Sequence, residues 1–217
     1  MDARSRLTMY RPQAFAVDDS ARAAALIDAI GFGTLASVHE GRIVTSHLPM
    51  LLDRDANALR GHFAKANPHW RALDSNADVL VSFVGPNAYI SPSWYRTAGQ
   101  VPTWNYVAVD VRGRIEILPE RADRLAIVTD LSARHERAFE RPWTIDKVPA
   151  ASLAALLDAI VAFRISIERI EAKAKLSQNR SVVDAEGAAA SLEAQGGCSM
   201  RAEVAALMRE LNAARAR

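Results

Sequence analysis

Trp104-Asn-Tyr-Val-Ala-Val-Asp-Val-Arg-Gly-Arg-Ile-Glu-Ile-Leu118 alternates with a period of two. Val107, Val109, Val111, Ile115 and Ile117 share one parity, while Ala108, Asp110, Arg112, Arg114 and Glu116 take the other. Successive side chains of a strand point to opposite faces, so the segment is one long strand with an apolar face and a charged face. Gly113 falls in the apolar register, where a missing side chain lets a barrel strand bend. The same pattern returns at Phe163, Ile165 and Ile167, set against Arg164, Ser166 and Glu168. Upstream, strands at Thr34 to Val38 and Arg42 to Leu52 flank a Glu40-Gly41 turn. Ala58 to Phe63 and Val79 to Val84 add two more, and Pro49 suggests an edge or a bulge late in its strand. About six strands at short spacing, with helices at the ends, predict an α+β fold. It is mainly β, a small antiparallel barrel with flanking helices rather than a doubly wound sheet.

The helical signals sit around this frame. Ser20 to Ile30 is a helix capped by Asp18, Asp19 or Ser20, with Leu26, Ile27 and Ile30 on one face and Gly31-Phe-Gly33 as its stop. Asn67-Pro68 reads as a cap and first-turn proline opening a short helix to Asp74. Pro119 begins a helix whose apolar positions include Leu125, Val128, Leu131 and Phe139. After Arg180 the chain turns rich in Ala, Glu and Arg, breaks at Gly196-Gly197, and ends in a helix near Arg201 to Arg215.

Composition narrows the class. The 217 residues are 50% hydrophobic and 24% charged, enough to bury one sizeable core without staples. A net charge of +2 from 27 basic and 25 acidic side chains does not mark a nucleic-acid binder. The single cysteine, Cys198, excludes an internal disulfide framework and a cysteine-rich metal site. Met1 to Arg11 has no apolar core of a signal peptide, and Ala151 to Phe163 is too short and too polar to span a membrane. A cytoplasmic protein is expected. His135-Glu136 lacks a second histidine four residues on, and no glycine-rich dinucleotide or phosphate loop is present. No catalytic residue and no metal ligand is assigned.

Five polar or aromatic clusters fall at strand ends and loops. Thr45-Ser-His-Leu-Pro49 interrupts an apolar strand with three polar groups, as an edge strand with a solvated face also would. Gly61-His-Phe-Ala-Lys-Ala-Asn-Pro-His-Trp70 places Lys65 beside the opening of a helix, where a cation and backbone amides together suit an anion. Gly85-Pro-Asn-Ala-Tyr-Ile-Ser-Pro-Ser-Trp-Tyr95 and Val101-Pro-Thr-Trp-Asn-Tyr106 concentrate aromatics on proline-punctuated loops, suited to a planar ligand or a subunit interface. Lys175-Leu-Ser-Gln-Asn-Arg180 packs two cations, a hydroxyl and two amides into six residues, a set that fits a phosphorylated or carbonyl-rich ligand.

In order and spacing these blocks, with Met9-Tyr-Arg-Pro12, resemble the signature blocks of the FMN-binding negative transcriptional regulators, the PaiB-like proteins. The resemblance covers about Met9 to Val183. It implies an FMN-binding split β-barrel of the pyridoxamine-phosphate-oxidase group, a homodimer with FMN at the subunit interface. It divides the chain into an extension over 1–8, the barrel domain over 9–183 and a C-terminal helical segment over 184–217. It also implies cofactor roles. Lys65, with Asn67 at the helix opening, is expected near the flavin phosphate. Thr45, Ser46 and His47 are expected along the ring edge and ribityl chain. Trp104 and Asn105 are expected to border the ring, and Gln178 and Arg180 to reach the cofactor from a late block, from the partner subunit in one arrangement.

Two functions follow from the resemblance. One is a regulatory flavoprotein that lowers transcription. No DNA-binding motif is evident, so any DNA contact is expected at Arg201, Arg209, Arg215 and Arg217 of the last helix. The other is a flavin-dependent oxidoreductase acting on a small molecule, with His47 or Tyr95 as first candidates for proton transfer.

Overall fold

The computed structural model describes residues 8–74 and 76–215, so the expected extension lies almost wholly outside the described residues, as does Arg217. The element order is β1 (Ala16–Val17), α1 (Ser20–Ile30), β2 (Phe32–His39), β3 (Arg42–Asp53), β4 (Ala58–Ala64), β5 (Ala77–Ile90), β6 (Thr103–Leu118), α2 (Arg121–Glu136), α3 (Ala150–Asp158), β7 (Ile160–Lys175), α4 (Val182–Gln195) and α5 (Ser199–Arg215). The seven strands run in the order β1-β7-β4-β3-β2-β5-β6, and β6 also pairs with β7. Six strands therefore close on themselves as a barrel, with β1 added to β7 at Ala16↔Lys173.

The β2–β3 hairpin follows from its turn. Glu40 and Gly41 both have positive φ, 49° and 74°, as a two-residue turn matched to strand twist requires. The register is then fixed: Thr34 faces His47, Ala36 faces Thr45 and Val38 faces Ile43. Pro49 lies not at an edge but in β3, between β2 and β4. Met50 N–H donates to Gly31 C=O on the β2 side, and the ladder to β4 starts only at Met50↔Gly61. The missing proline N–H thus falls where no ladder bond is due.

β5 and β7 exceed their expected lengths the most. β5 continues through Pro86 to Ile90, into a segment read as loop. Val79, Val81, Phe83 and Gly85 are buried, then Ala88 and Ile90, so the parity changes once, as an inserted residue makes it do. β7 runs on to Lys175, with Glu171 to Ala174 all buried, so alternation gives no signal there. The helix after Pro119 ends before Phe139, which is exposed, and its buried contacts are Ile127 and Leu131.

The chain divides into two compact units. One comprises Ile27–Phe83 and Asp110–Ile170; its interior holds Leu35, Met50, Leu59, Phe63, Val81, Phe83, Val111, Phe163 and Ile165, and Leu51, Leu131 and Ala162 pack with Ile127 of α2. The other comprises the described chain up to Leu26, Val84–Val109 and the chain from Glu171 on. Its core joins Ile90, Tyr95, Val107 and Leu176 to Ala188, Ala189 and Leu192 of α4 and Val204, Ala205 and Met208 of α5.

Candidate functional site

Strand periodicity splits the Thr45-Ser46-His47 cluster. Thr45 and His47 are exposed on the outer face of β3, and Ser46 is buried on the inner one. On the outer face His47 Nδ1 and Thr34 Oγ1 lie 2.9 Å apart, bonding across the hairpin. The same face carries Phe32, Val38 and Ile43, which are 56%, 68% and 77% exposed, an apolar frame around a polar centre.

Inside, Ser46 belongs to a closed polar network. Its Oγ lies 2.8 Å from His69 Nδ1 and accepts from Asn67 Nδ2 at 3.0 Å. The other ring nitrogen, His69 Nε2, lies 2.9 Å from Ser37 Oγ on β2. Asn67 Oδ1 accepts from the His69 backbone N–H at 3.0 Å, capping the 3-10 turn Pro68–Ala72. His69 is only 1% exposed, packs edge-on against Phe63, and burial lowers its pKa. A neutral imidazole has one donor and one acceptor, and a serine hydroxyl serves either, so both ring nitrogens are satisfied.

Lys65 stands at the start of this turn and is exposed. Its backbone is held at both ends: Lys65 N–H donates to Ala159 C=O at 2.8 Å, and Trp70 Nε1 donates to Lys65 C=O at 3.0 Å. The Arg71 guanidinium lies 4.5 Å from the centroid of the Trp70 ring. Among the described residues, no hydrogen bond or ion pair engages Lys65 Nζ.

In the other unit the late block forms its own turn. Gln178 Oε1 accepts from Leu176 N–H at 2.6 Å, and its Nε2 donates to Ala174 C=O, so its amide is engaged by local backbone. Ser177, at φ 64°, is buried and accepts from Asn105 Nδ2 at 2.9 Å. Asn105 is fully buried and also contacts Met208 Sδ, and its Oδ1 has no hydrogen-bond partner among the described residues. Arg180 lies 5.3 Å from the ring centroid of Tyr95, whose buried hydroxyl likewise has no partner among the described residues. Lys175 bonds Thr103 Oγ1, and burial lowers its pKa, partly offset by Tyr106. Trp104, 53% exposed, meets Tyr89 edge-on at 6.4 Å.

The expected cofactor residues thus fall into two sets. Thr45, Ser46, His47, Lys65 and Asn67 lie in one unit, linked through Ser46 to Asn67, and Trp104, Asn105, Gln178 and Arg180 lie in the other. Ser37, His69 and Trp70 were not singled out by the sequence. His69 and Trp70 lie inside a quoted block, but Ser37 stands in an apolar strand and carries no signal of its own.

Residues 9–169 match the family described as "Putative FMN-binding domain". The chain is 38% identical over 180 residues to "Protease synthase and sporulation protein PAI 2" of Bacillus subtilis, covering 81% of this chain and 85% of that one. Among solved structures, the flavocytochrome Anf3 of Azotobacter vinelandii superposes with a TM-score of 0.58 at 15% identity, over 80% of this chain and 74% of that one. The FAD- and heme-binding protein of Mycobacterium smegmatis gives 0.54 at 20% identity, over 74% and 73%. The two structures share the fold with this chain, the closed antiparallel barrel with helices. A family match over most of the chain and a relative this close lead to one conclusion: the chain belongs to the FMN-binding, PaiB-like family of split-barrel flavin proteins.

Proposed function

We propose that the chain is a homodimeric FMN protein of negative transcriptional regulation. In this reading the flavin lies along the outer face of the β2–β3 hairpin and its phosphate is at Lys65. The observation that carries this is Lys65 itself, an exposed cation with no partner among the described residues, on a backbone fixed at both ends. A phosphate dianion calls for such a group, because a pre-positioned donor costs little ordering on binding. The fit extends to the polar centre of the hairpin. Thr45 offers a hydroxyl and His47 an imidazole to ribityl hydroxyls or the ring edge, while Ser46 and Asn67 serve from inside. The exposed Phe32, Val38 and Ile43 supply the apolar surface that a second copy covers. FMN, when bound, supplies electron and hydride chemistry; the chain's residues bind it, orient it and shield it from water.

The test is a titration of FMN and riboflavin into wild type and Lys65→Ala. A charge-assisted bond is worth about 1.5–3 kcal/mol, so FMN weakens at least about tenfold and riboflavin, which lacks the phosphate, much less. Equal losses for both flavins remove Lys65 from the phosphate.

The regulatory role draws on the family and not on the last helix. Arg209 pairs with Glu186 at 2.8 Å and with Glu193, Arg215 donates to Arg180 C=O at 2.9 Å, and Arg201 donates to Gly196 C=O at 3.4 Å. The described arginines expected to meet DNA therefore have partners within the chain. One observation favours the oxidoreductase reading: His47 is an exposed imidazole oriented by Thr34, as proton transfer beside a flavin requires. Consumption of reduced nicotinamide by the FMN-loaded protein, lost in His47→Ala at unchanged flavin content, would move that reading ahead.

A further inference from the structure

Ser37, His69 and Ser46 are buried and Asn67 is half-buried, and the network they form joins the two places where FMN is proposed to be held. Ser46 lies between Thr45 and His47 on β3, and Asn67 lies two residues after Lys65. Between them stand the 3.0 Å bond from Asn67 Nδ2 to Ser46 Oγ and the 2.8 Å contact of Ser46 with His69 Nδ1. The backbone of His69 closes the loop by donating to Asn67 Oδ1 at 3.0 Å. That bond also fixes which way the Asn67 amide faces, since its oxygen must meet the N–H. On the far side His69 Nε2 contacts Ser37 Oγ at 2.9 Å, so the imidazole ties β2, β3 and the Lys65 turn together.

We infer that His69 is a positioning residue for the FMN phosphate, setting the Lys65 turn at a fixed separation from the strand that carries Thr45 and His47. The inference rests on the reading that the phosphate lies at Lys65. The chemistry supports it over a purely space-filling role. An aromatic hydrocarbon would pack equally well against Phe63 without burying an imidazole between two serine hydroxyls. A buried network that is fully paired gives one geometry, because every alternative leaves a donor or acceptor unsatisfied. Fixed geometry is what a pre-positioned phosphate contact needs, since misplacement by about 1 Å is costly.

Two variants test this. His69→Phe keeps the ring volume and removes both ring contacts. Ser37→Ala removes only the far contact and touches neither Lys65 nor the outer face. FMN and riboflavin are titrated into each, alone and combined with Lys65→Ala, with melting temperature measured in parallel. The expected result is that both variants weaken FMN by about fivefold or more and riboflavin by less than about twofold. Combined with Lys65→Ala they add no further FMN-specific loss, because the contact they position is already gone. An equal loss for both flavins, or an FMN loss that adds fully to that of Lys65→Ala, overturns the inference while the phosphate site stands. If Lys65→Ala itself shows no preference for FMN, the phosphate site falls and the inference with it. If His69→Phe does not fold, the flavin split in Ser37→Ala alone decides the matter.

Discussion

Gly113 shows how one residue serves a different purpose from the one its pattern suggests. A bend would tolerate alanine, but a Cβ there would stand 2.2 Å from Ser166 C=O and 2.9 Å from Ile165 Cγ2. The glycine permits close approach of β6 to β7. Gly113→Ala is therefore expected to cost about 1–3 kcal/mol, as overpacking does, and to lower the melting temperature by several degrees. An unchanged melting temperature would restore the bend. Asp184 carries the clearest pH signature. Its carboxylate accepts from Arg96 N–H, Thr97 N–H and Thr97 Oγ1–H at 2.8, 3.1 and 2.7 Å, and these bonds, chiefly that from the Thr97 hydroxyl, depress its pKa to about 2. The folded value lies below the ordinary 3.8, so its stabilising effect is present above that pH and lost as pH falls towards 2. The melting-temperature gap between wild type and Asp184→Asn should shrink over that window; a gap constant with pH would contradict the assignment. At this scale the sequence discloses residue types but not their facing. Lys65 and His47 are legible as exposed polar groups, whereas the bonding of Ser37 and His69 depends on contacts between a turn and two strands that no local pattern records.

Elements with alternation or a cap were legible. α1 spans Ser20–Ile30 as its cap and stop predict, and β6 keeps the predicted parity from Val107 to Ile115. The misses have physical causes. β5 changes parity beyond Gly85, and Pro86 looks like a break although the strand continues. β7 is buried on both faces over Glu171 to Ala174, and the buried stripe of α4, Ala185, Ala188, Ala189 and Leu192, is masked in the sequence by exposed alanines at Ala190 and Ala194. The last helix is a core element, and not a solvated tail. Met208 on α5 is fully buried, and Met208→Ala is expected to cost about 2–5 kcal/mol, read as a lower urea midpoint. An unchanged midpoint would show that α5 is dispensable. Truncation after Gly197 would uncover Ala188, Ala189 and Leu192, so it confounds folding with any loss of DNA affinity. Arg209→Gln is the cleaner probe. With Arg209 already spent on Glu186 and Glu193, it should leave the salt dependence of any DNA binding unchanged, whereas a lost phosphate contact flattens the slope by about one unit.

In the proposed function, the flavin and a second subunit share one surface of the molecule, the outer face of the β2–β3 hairpin. Exposed apolar side chains on both sides of Thr45 and His47 are useful in a dimer that closes over a planar cofactor. The family match makes FMN the cofactor, and the hairpin register makes this face the place to test. Ile43→Asp changes an exposed residue and so should leave the subunit folded while setting like charges against each other across a twofold interface. The most direct measurement is light scattering with flavin absorbance recorded on the same eluting peak, for wild type and Ile43→Asp. Wild-type flavin is expected to travel with a species of twice the 23.7 kDa chain mass, and Ile43→Asp to lose dimer and flavin together. Flavin travelling with a 23.7 kDa species, or retained in full by a monomeric Ile43→Asp, would contradict it.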